Sequence, residues 1–583
     1  MLLVALFGTL TALGMTVLAC IQRPNRWQLL VSTYVIFYLV ALGIVFSSLP
    51  SKTPASLISM NLIYGILYLP LLLISSPQPK VEVERKGKRP RNLFEERFNF
   101  RLPRINFGTK LAAGVLALLV VLGLFGSLQT RFGVKAVYNS LRIKTVETAP
   151  LLDKNATPIA ISPKTVRNKM NKAMSTVPNT SYYKLGDLQT QVVKGKTVYI
   201  APVEFDGFWR WQRARNTPGY FIIDATNVNA EPRFVKQSMK YTPSAYLFDD
   251  AQRVIYNRFP SWVQEGQPQL EVNDQGEPFF IQTVYKARGV SRRINYRSLH
   301  VVVLNAKTGA TKLYTAAGAP AFINESIASS TAAEMNEIFG RYGNGFFNAY
   351  FNKTGVKLPN DNGTEDGVTP VADKNGNISY FNDFTSPKTS ADSTMGYSMI
   401  NARTGTLTYY TGKNIGVMDS TGAKKIAEKE YVAQKWSATM PIMYNIDGTP
   451  TWIVSLLDST GAFRSYAYIK AADQSVKAYA TTAAQALDQY RVQLAAAGST
   501  ASSTATKLTK VSGIVSRVAI VPNGSSQSVL FAIKGNDYLW SVGTGDYPKA
   551  ALLEAGDEVK LTANVNKQAN TGAVQSFTNK TFK

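Results

Sequence analysis

Four uninterrupted apolar runs constrain this chain more than any other feature. They extend from Leu2 to Cys20, Gln28 to Ser48, Ala55 to Ser75 and Leu111 to Leu128, and none holds a charged side chain. A helix needs about 20 apolar residues to cross a hydrocarbon layer, so each run is predicted to be a transmembrane helix. The alternative, a buried core helix of a soluble protein, rarely stays apolar for so long.

The basic residues between the runs set the expected orientation. The first connection carries Arg23 and Arg26, and the second only Lys52. The third, 77–109, carries Lys80, Arg85, Lys86, Lys88, Arg89, Arg91, Arg97, Arg101 and Arg104 against four glutamates. Lys and Arg are retained on the cytoplasmic side of a bilayer. The third loop and the first connection are therefore expected inside, and the second connection outside. The start of the first run and everything after Leu128 are then also outside, in a multi-pass protein of the cell membrane. The basic loop would attract anionic lipid, at about 1 kcal/mol per surface cation. Leu93, Phe94, Phe98, Phe100 and Phe107 lie among its arginines and suit docking of a cytoplasmic partner as a second reading. Val17-Leu18-Ala19-Cys20 is similar to a lipoprotein cleavage site. A secretory signal opens with a basic segment, however, and Met1 to Met15 contains no Lys or Arg, so Cys20 is expected to be an ordinary helix-end residue.

Composition narrows the chemistry. Sixty-four Lys and Arg face 38 Asp and Glu, a formal charge of +26, and the part after Leu128 keeps an excess of 17. Such a surface favours lipid headgroups, acidic wall polymers or nucleic acid. The chain has one histidine, His300, and one cysteine, Cys20. These counts exclude a Cys/His zinc site, a Cys–His nucleophile pair in the polar part and an intramolecular disulfide. A polar part free of cysteine suits an extracytoplasmic setting.

Beyond a juxtamembrane connector, 130–160, four segments of 161–480 share one pattern: about 161–240, 241–320, 325–412 and 420–480. A turn glycine (Gly195, Gly276, Gly376, Gly448) precedes an aromatic or β-branched strand. A second strand then ends in an Asn/Asp-Ala-type turn, clearest in Asn305-Ala306-Lys307-Thr308-Gly309 and Asn401-Ala402-Arg403-Thr404-Gly405. The Asn side chain is expected to cap its own following backbone and the glycine to supply a positive φ between antiparallel strands. A helix is predicted before each sheet. The clearest opens at Ser162-Pro163, with Val166, Met170, Ala173, Met174 and Val177 on one face. The others are predicted at Asp249 to Arg258, Ser330 to Phe351 and Lys424 to Trp436. A helix lying on a curled sheet is an α+β unit.

The strand followed by Asn-Ala-Lys-Thr-Gly-Ala-Thr-Lys-Leu-Tyr at 305–314, with its counterpart at 401–410, resembles the ending of PepSY-type domains. The likeness covers about 155–480, and two of the four copies show the ending well. It implies small secreted or membrane-tethered helix-plus-sheet modules of bacteria, regarded as protease-inhibiting or regulatory protein-binding units.

Residues 481–509 read as an alanine-rich helix followed by a Ser/Thr/Ala linker. In 510–583, strands are predicted at Lys510 to Val521, Ser528 to Lys534, Tyr538 to Val542, Glu558 to Asn564 and Val574 to Thr578, with a short helix from Pro548 to Glu554. That order resembles an OB-fold barrel. Phe531, Tyr538 and Trp540 beside Arg517 and Lys534 would make a ligand platform of the kind that stacks bases or sugars. Alternate residues of a small barrel must also fill its interior, which competes for the same aromatics.

Catalytic signatures are missing: there is no phosphate loop and no protease, kinase or hydrolase motif. His300 opens an apolar strand and reads as a structural residue at a sheet edge. Asp249-Asp250, and Glu265 near Glu271, are the paired carboxylates on offer. Asp361, Asp366 and Asp373 read as solvated turn acids without calcium-loop spacing. No cofactor or metal is implied. The expectation is a non-enzymatic bacterial envelope protein with four spans, a repeated α+β ectodomain and a small all-β barrel, working by binding. Envelope proteins or anionic wall polymers are its expected partners. The alternative is surface binding of DNA or an anionic wall polymer through the basic ectodomain and the barrel, with nucleic acid the less favoured ligand.

Overall fold

The computed structural model describes residues 1–75, 107–147, 161–387, 394–411, 417–497, 506–566 and 570–581, apart from positions 23, 228, 362, 363, 365, 366, 374, 524, 525 and 546. It divides into two compact units. One comprises 1–133 with 255–264 and 285–295, and the other 134–254, 265–284 and 296–583.

The first unit is helical, and two to three of the four expected spans are found among its described residues. Among the described residues, Pro24–Ser48 and Lys110–Phe132 are long and apolar enough to cross a membrane. A third span exists only if Leu2–Gly8 and Leu10–Gln22, bent by 61°, act as one. Pro54–Pro70 is a shorter apolar helix, so four spans are not established. The bend has a local cause. The Thr9 hydroxyl donates to the carbonyl of Ala5 at 2.9 Å, a back-bond that bends helices. Asn61 then serves the broken ends, donating to the Phe7 carbonyl at 2.7 Å and accepting from the Thr11 amide at 2.9 Å. Polar groups freed inside an apolar layer need such a partner.

The two ends of this bundle differ. At one end, Gln22 fills the space beside Gly108. At the other, the Tyr256 hydroxyl donates to the Pro50 carbonyl at 2.6 Å, and Arg293 Nε donates to the Thr130 carbonyl at 3.0 Å.

The second unit is β-rich. Four antiparallel meanders follow one another along the chain. The first runs through Gln189–Val193, Lys196–Phe205, Thr217–Asp224 and Arg233–Met239. The second uses Gln269–Val272, Pro278–Tyr285, His300–Asn305 and Thr311–Thr315. Thr369–Ala372, Ile378–Thr385, Thr394–Asn401 and Thr406–Tyr410 form the third. The fourth is Ser437–Ile446, Thr449–Leu457, Phe463–Lys470 and Lys477–Ala480. Part of the connector is also strand: Arg142–Val146 pairs in parallel with Thr406–Tyr410.

The turns behave as their chemistry dictates. Asn305 Oδ1 accepts from the amides of Lys307 and Thr308, Asn401 Oδ1 from those of Arg403 and Thr404, and Gly309 and Gly405 have φ of 75° and 69°. Helices occupy the predicted places at Pro163–Ala173, Ala251–Arg258, Ser329–Arg341 and Ser420–Lys429.

Contacts between sheets close a circle. Gln191 exchanges two hydrogen bonds with the backbone of Val272, at 2.7 and 3.0 Å, which joins the first sheet to the second. Arg403 Nη1 donates to the Pro320 carbonyl at 3.0 Å, tying the third sheet to the end of the second. Phe381 and Trp452 lie 6.0 Å apart edge to face in a core shared by the third and fourth sheets. Tyr199 and Phe221 of the first sheet share another core with Tyr466 and Tyr468 of the fourth. The sheets are therefore buried on both faces, which explains why Val301, Val302 and Leu304 are apolar in succession and all fully buried.

The last domain is a closed barrel in the order Thr506–Asn523, Ser526–Ile533, Leu539–Gly543, Thr571–Asn579, Glu558–Asn566, the first and last strands also pairing. This is the connectivity expected of an OB-like barrel.

Candidate functional site

The predicted aromatic platform is not assembled. Phe531 and Trp540 are each 1% exposed and face each other across paired strands inside the barrel. The Trp540 ring also occupies the space that a Cβ on Gly572 would need. Tyr538 is half-buried against the same core. Only Arg517 and Lys534 are exposed. The competing demand of the small interior decides the matter, because a five-stranded barrel needs these rings as its filling.

Other predicted chemistry resolves into structural roles. His300 heads a strand flanked on both sides by 278–285 and 311–315, so it is not at a sheet edge, and its Nδ1 lies 2.9 Å from the Ser298 carbonyl. Asp249 pairs with Lys240 at 3.6 Å, and Asp250 accepts from the Arg253 amide at 2.8 Å. Asp373 accepts from the amides of Asn375 and Asn377, a turn role. Asp366 and the basic loop residues Arg85, Lys86, Lys88, Arg89, Arg91, Arg97, Arg101 and Arg104 lie outside the described residues.

Glu271 is the centre of a buried clasp. Its carboxylate accepts from the amides of Asn324 and Glu325 at 2.8 and 2.9 Å, while Gln189 donates to Glu325. Burial pushes the Glu271 carboxyl up to about 7, opposed by those two amides and by Arg403. Fully enclosed, it holds sheets together.

A cleft does open between the first and fourth sheets. Its volume is about 770 Å³. One wall is the polar face of Pro163–Ala173, whose other face buries Val166 and Met170. Ser162 caps this helix by accepting from the Thr165 amide at 3.2 Å. The opposite wall is the turn Asp458-Ser459-Thr460-Gly461. Asp458 Oδ1 accepts from the Thr460 hydroxyl at 2.6 Å and from the amides of Thr460 and Ala462, and Gly461 takes φ of 78°. The Thr460 hydroxyl, the two amides and Arg464 hold the Asp458 carboxyl far below its ordinary value. Two bonds join the walls: Thr165 Oγ1 to the Gly461 carbonyl at 2.9 Å, and Asn168 Nδ2 to the Thr460 carbonyl at 2.6 Å.

The lining is cationic and amide-rich. Lys169, Lys172 and Arg464 share it with Asn168, Asn171, Asn229, threonine hydroxyls and the Phe463 ring, and no described lining residue is an acid. Lys169 pairs with Glu231 at 3.2 Å and Arg464 with Asp458 at 2.6 Å. Lys172 makes no ion pair with any described residue. The site therefore offers positive charge and hydrogen-bond donors. The run Lys-Met-Asn-Lys at 169–172 signals a polar helix face, but its partner turn lies 296 residues away and no local pattern links the two.

No family model matches the chain, and no curated protein matches it, so the PepSY resemblance is not shown. Among solved structures the chain is similar to a putative glycosidase from Bacteroides thetaiotaomicron, at 10% identity and a TM-score of 0.18, over 60% of this chain and 84% of that one. It is also similar to a GH43_1 enzyme from Xanthomonas citri, at 11% identity and a TM-score of 0.17, over 60% of this chain and 82% of that one. These neighbours run against the expected non-enzymatic binding ectodomain, and both forms of that expectation are withdrawn. At such TM-scores the likeness assigns neither fold nor reaction to this chain.

Proposed function

We propose that this is a multi-pass membrane protein that holds a small, hydroxyl-rich anionic ligand in the cleft between Pro163–Ala173 and the Asp458–Gly461 turn. The cleft's lining carries the reading: Lys172, which makes no ion pair with any described residue, beside Lys169, Arg464, three asparagines and several hydroxyls, with no described acid. Amides and hydroxyls match sugar-type hydroxyls, the cations match a carboxylate or phosphate, and Phe463 supplies an apolar wall.

The chain after Phe132 is assigned to the membrane side opposite the basic loop. Support comes from the charge asymmetry of 77–109 and from the two ends of the helical bundle. The Gln22 and Gly108 end is the one that borders this loop, whereas the chain continues into its second unit from the Thr130 end.

Calorimetric titration of the detergent-solubilised full chain with glucose 6-phosphate, and with glucose as neutral control, tests the reading. Binding of the phosphate ester alone, weakened by Lys172→Ala, is expected. Equal heats for both sugars, or none for either, would reject it.

A further inference from the structure

We infer that the helical unit carries a separate site for one anionic phospholipid. A cavity of about 490 Å³ opens between Pro54–Ser75 and Phe107–Phe132. Its two halves differ in chemistry. Ile58, Leu122 and Gly123 form an apolar half, whereas Arg131, Arg292 and Arg293 stand at its rim, and no described acid lines it. An acyl chain suits the first half and a phosphate the second.

The rim is held in place. The segment 285–295 belongs to the helical unit. Its Val290 amide donates to Gln129 Oε1 at 3.2 Å, and its Arg292 amide to Thr130 Oγ1 at 3.2 Å. Arg292 Nη2 reaches Ser59 Oγ at 3.2 Å. Gly126 lets the Val290 carbonyl approach to where a Cβ would lie 2.8 Å from it, so the segment packs directly on the helix. Two arginines are thereby fixed at the end of an apolar helix long enough to cross a membrane, the level at which headgroup phosphates lie. A Cβ on Gly123 would meet nothing within 4 Å, so the apolar half has room for a lipid chain.

The inference rests on Lys110–Phe132 being a membrane helix, and the experiment separates the two claims. The full chain in detergent is exposed to equal amounts of phosphatidylglycerol and phosphatidylcholine, and bound lipid is counted by native mass spectrometry. Preferential retention of one phosphatidylglycerol is expected. Arg292→Ala with Arg293→Ala should lower that retention roughly tenfold. Gly123→Leu, which fills the apolar half from the other end, should lower it as well. Inorganic phosphate in excess should leave the bound lipid in place. Equal retention of both lipids, unchanged retention in both variants, or displacement by inorganic phosphate would overturn the site. Failure to take up any lipid would instead overturn the membrane reading beneath it.

Discussion

The hydroxyl of Thr165 donates to the carbonyl of Gly461 at 2.9 Å, across 296 residues of chain. This bond joins the first sheet's helix to the fourth sheet's turn, between two residues that line the cleft. Thr165 is buried, so Thr165→Val removes the only donor it offers that carbonyl and should cost about 1–2 kcal/mol. Weaker glucose 6-phosphate binding should accompany the loss, and Thr165→Ser should restore both. Denaturant unfolding and calorimetry on the same samples measure the pair of effects.

Arg403 makes a different kind of closure. Its guanidinium donates to the carbonyls of Ala319, Pro320 and Ile323, the last at 2.6 Å. Arg403→Ala leaves these acceptors without their donor and should destabilise the second unit by about 2–4 kcal/mol. Arg403→Lys, with a point charge instead of a planar fork, should recover only part of this. Unfolding curves followed by tryptophan fluorescence distinguish the three chains.

Stability should fall as pH rises from about 4.5 to about 7. Burial, reinforced by Asp187, pushes the Glu204 carboxyl from 4.5 up to about 7, and Glu271 moves the same way. In that window the unfolded chain has released these protons and the folded one retains them, so each unit of pH favours unfolding until the folded groups also ionise. Glu204→Gln removes its share and should raise stability at pH 8 by about 2 kcal/mol, with little change at pH 4. Melting temperature against pH for the two chains checks the sign.

In the barrel, Trp540→Ala should cost about 3–5 kcal/mol through the cavity it leaves. Arg517→Ala and Lys534→Ala, on the exposed surface, should stay within about 0.5 kcal/mol of the parent. Neither class should alter affinity at the cleft. Thermal scans and titration report both.

Much of this architecture was legible in the chain because its signals are local. Ser162-Pro163 announces a capped helix, Asn305 and Asn401 cap their own turns, and turn glycines between aromatic or β-branched strands mark four repeated sheets. What failed was the inference about which face the barrel's aromatic side chains take. Phe531 and Trp540 satisfy a platform pattern and an interior pattern equally, and only closure of the barrel chooses between them. The polar groups freed beside Thr9 are satisfied by Asn61, which lies in another helix. The cleft was illegible for the same reason: Asn168 and Thr460 are each unremarkable until the circle of sheets brings them together.

Asn171, an exposed residue of the cleft wall, reports both sidedness and ligand binding in one measurement. In a chain carrying Cys20→Ser and Asn171→Cys, the introduced thiol is the sole cysteine, and a membrane-impermeant maleimide is added to intact cells expressing it. Rapid labelling from outside is expected, slowed by glucose 6-phosphate and not by glucose. Labelling that requires cell lysis, or proceeds at the same rate with either sugar present, would contradict the proposed function.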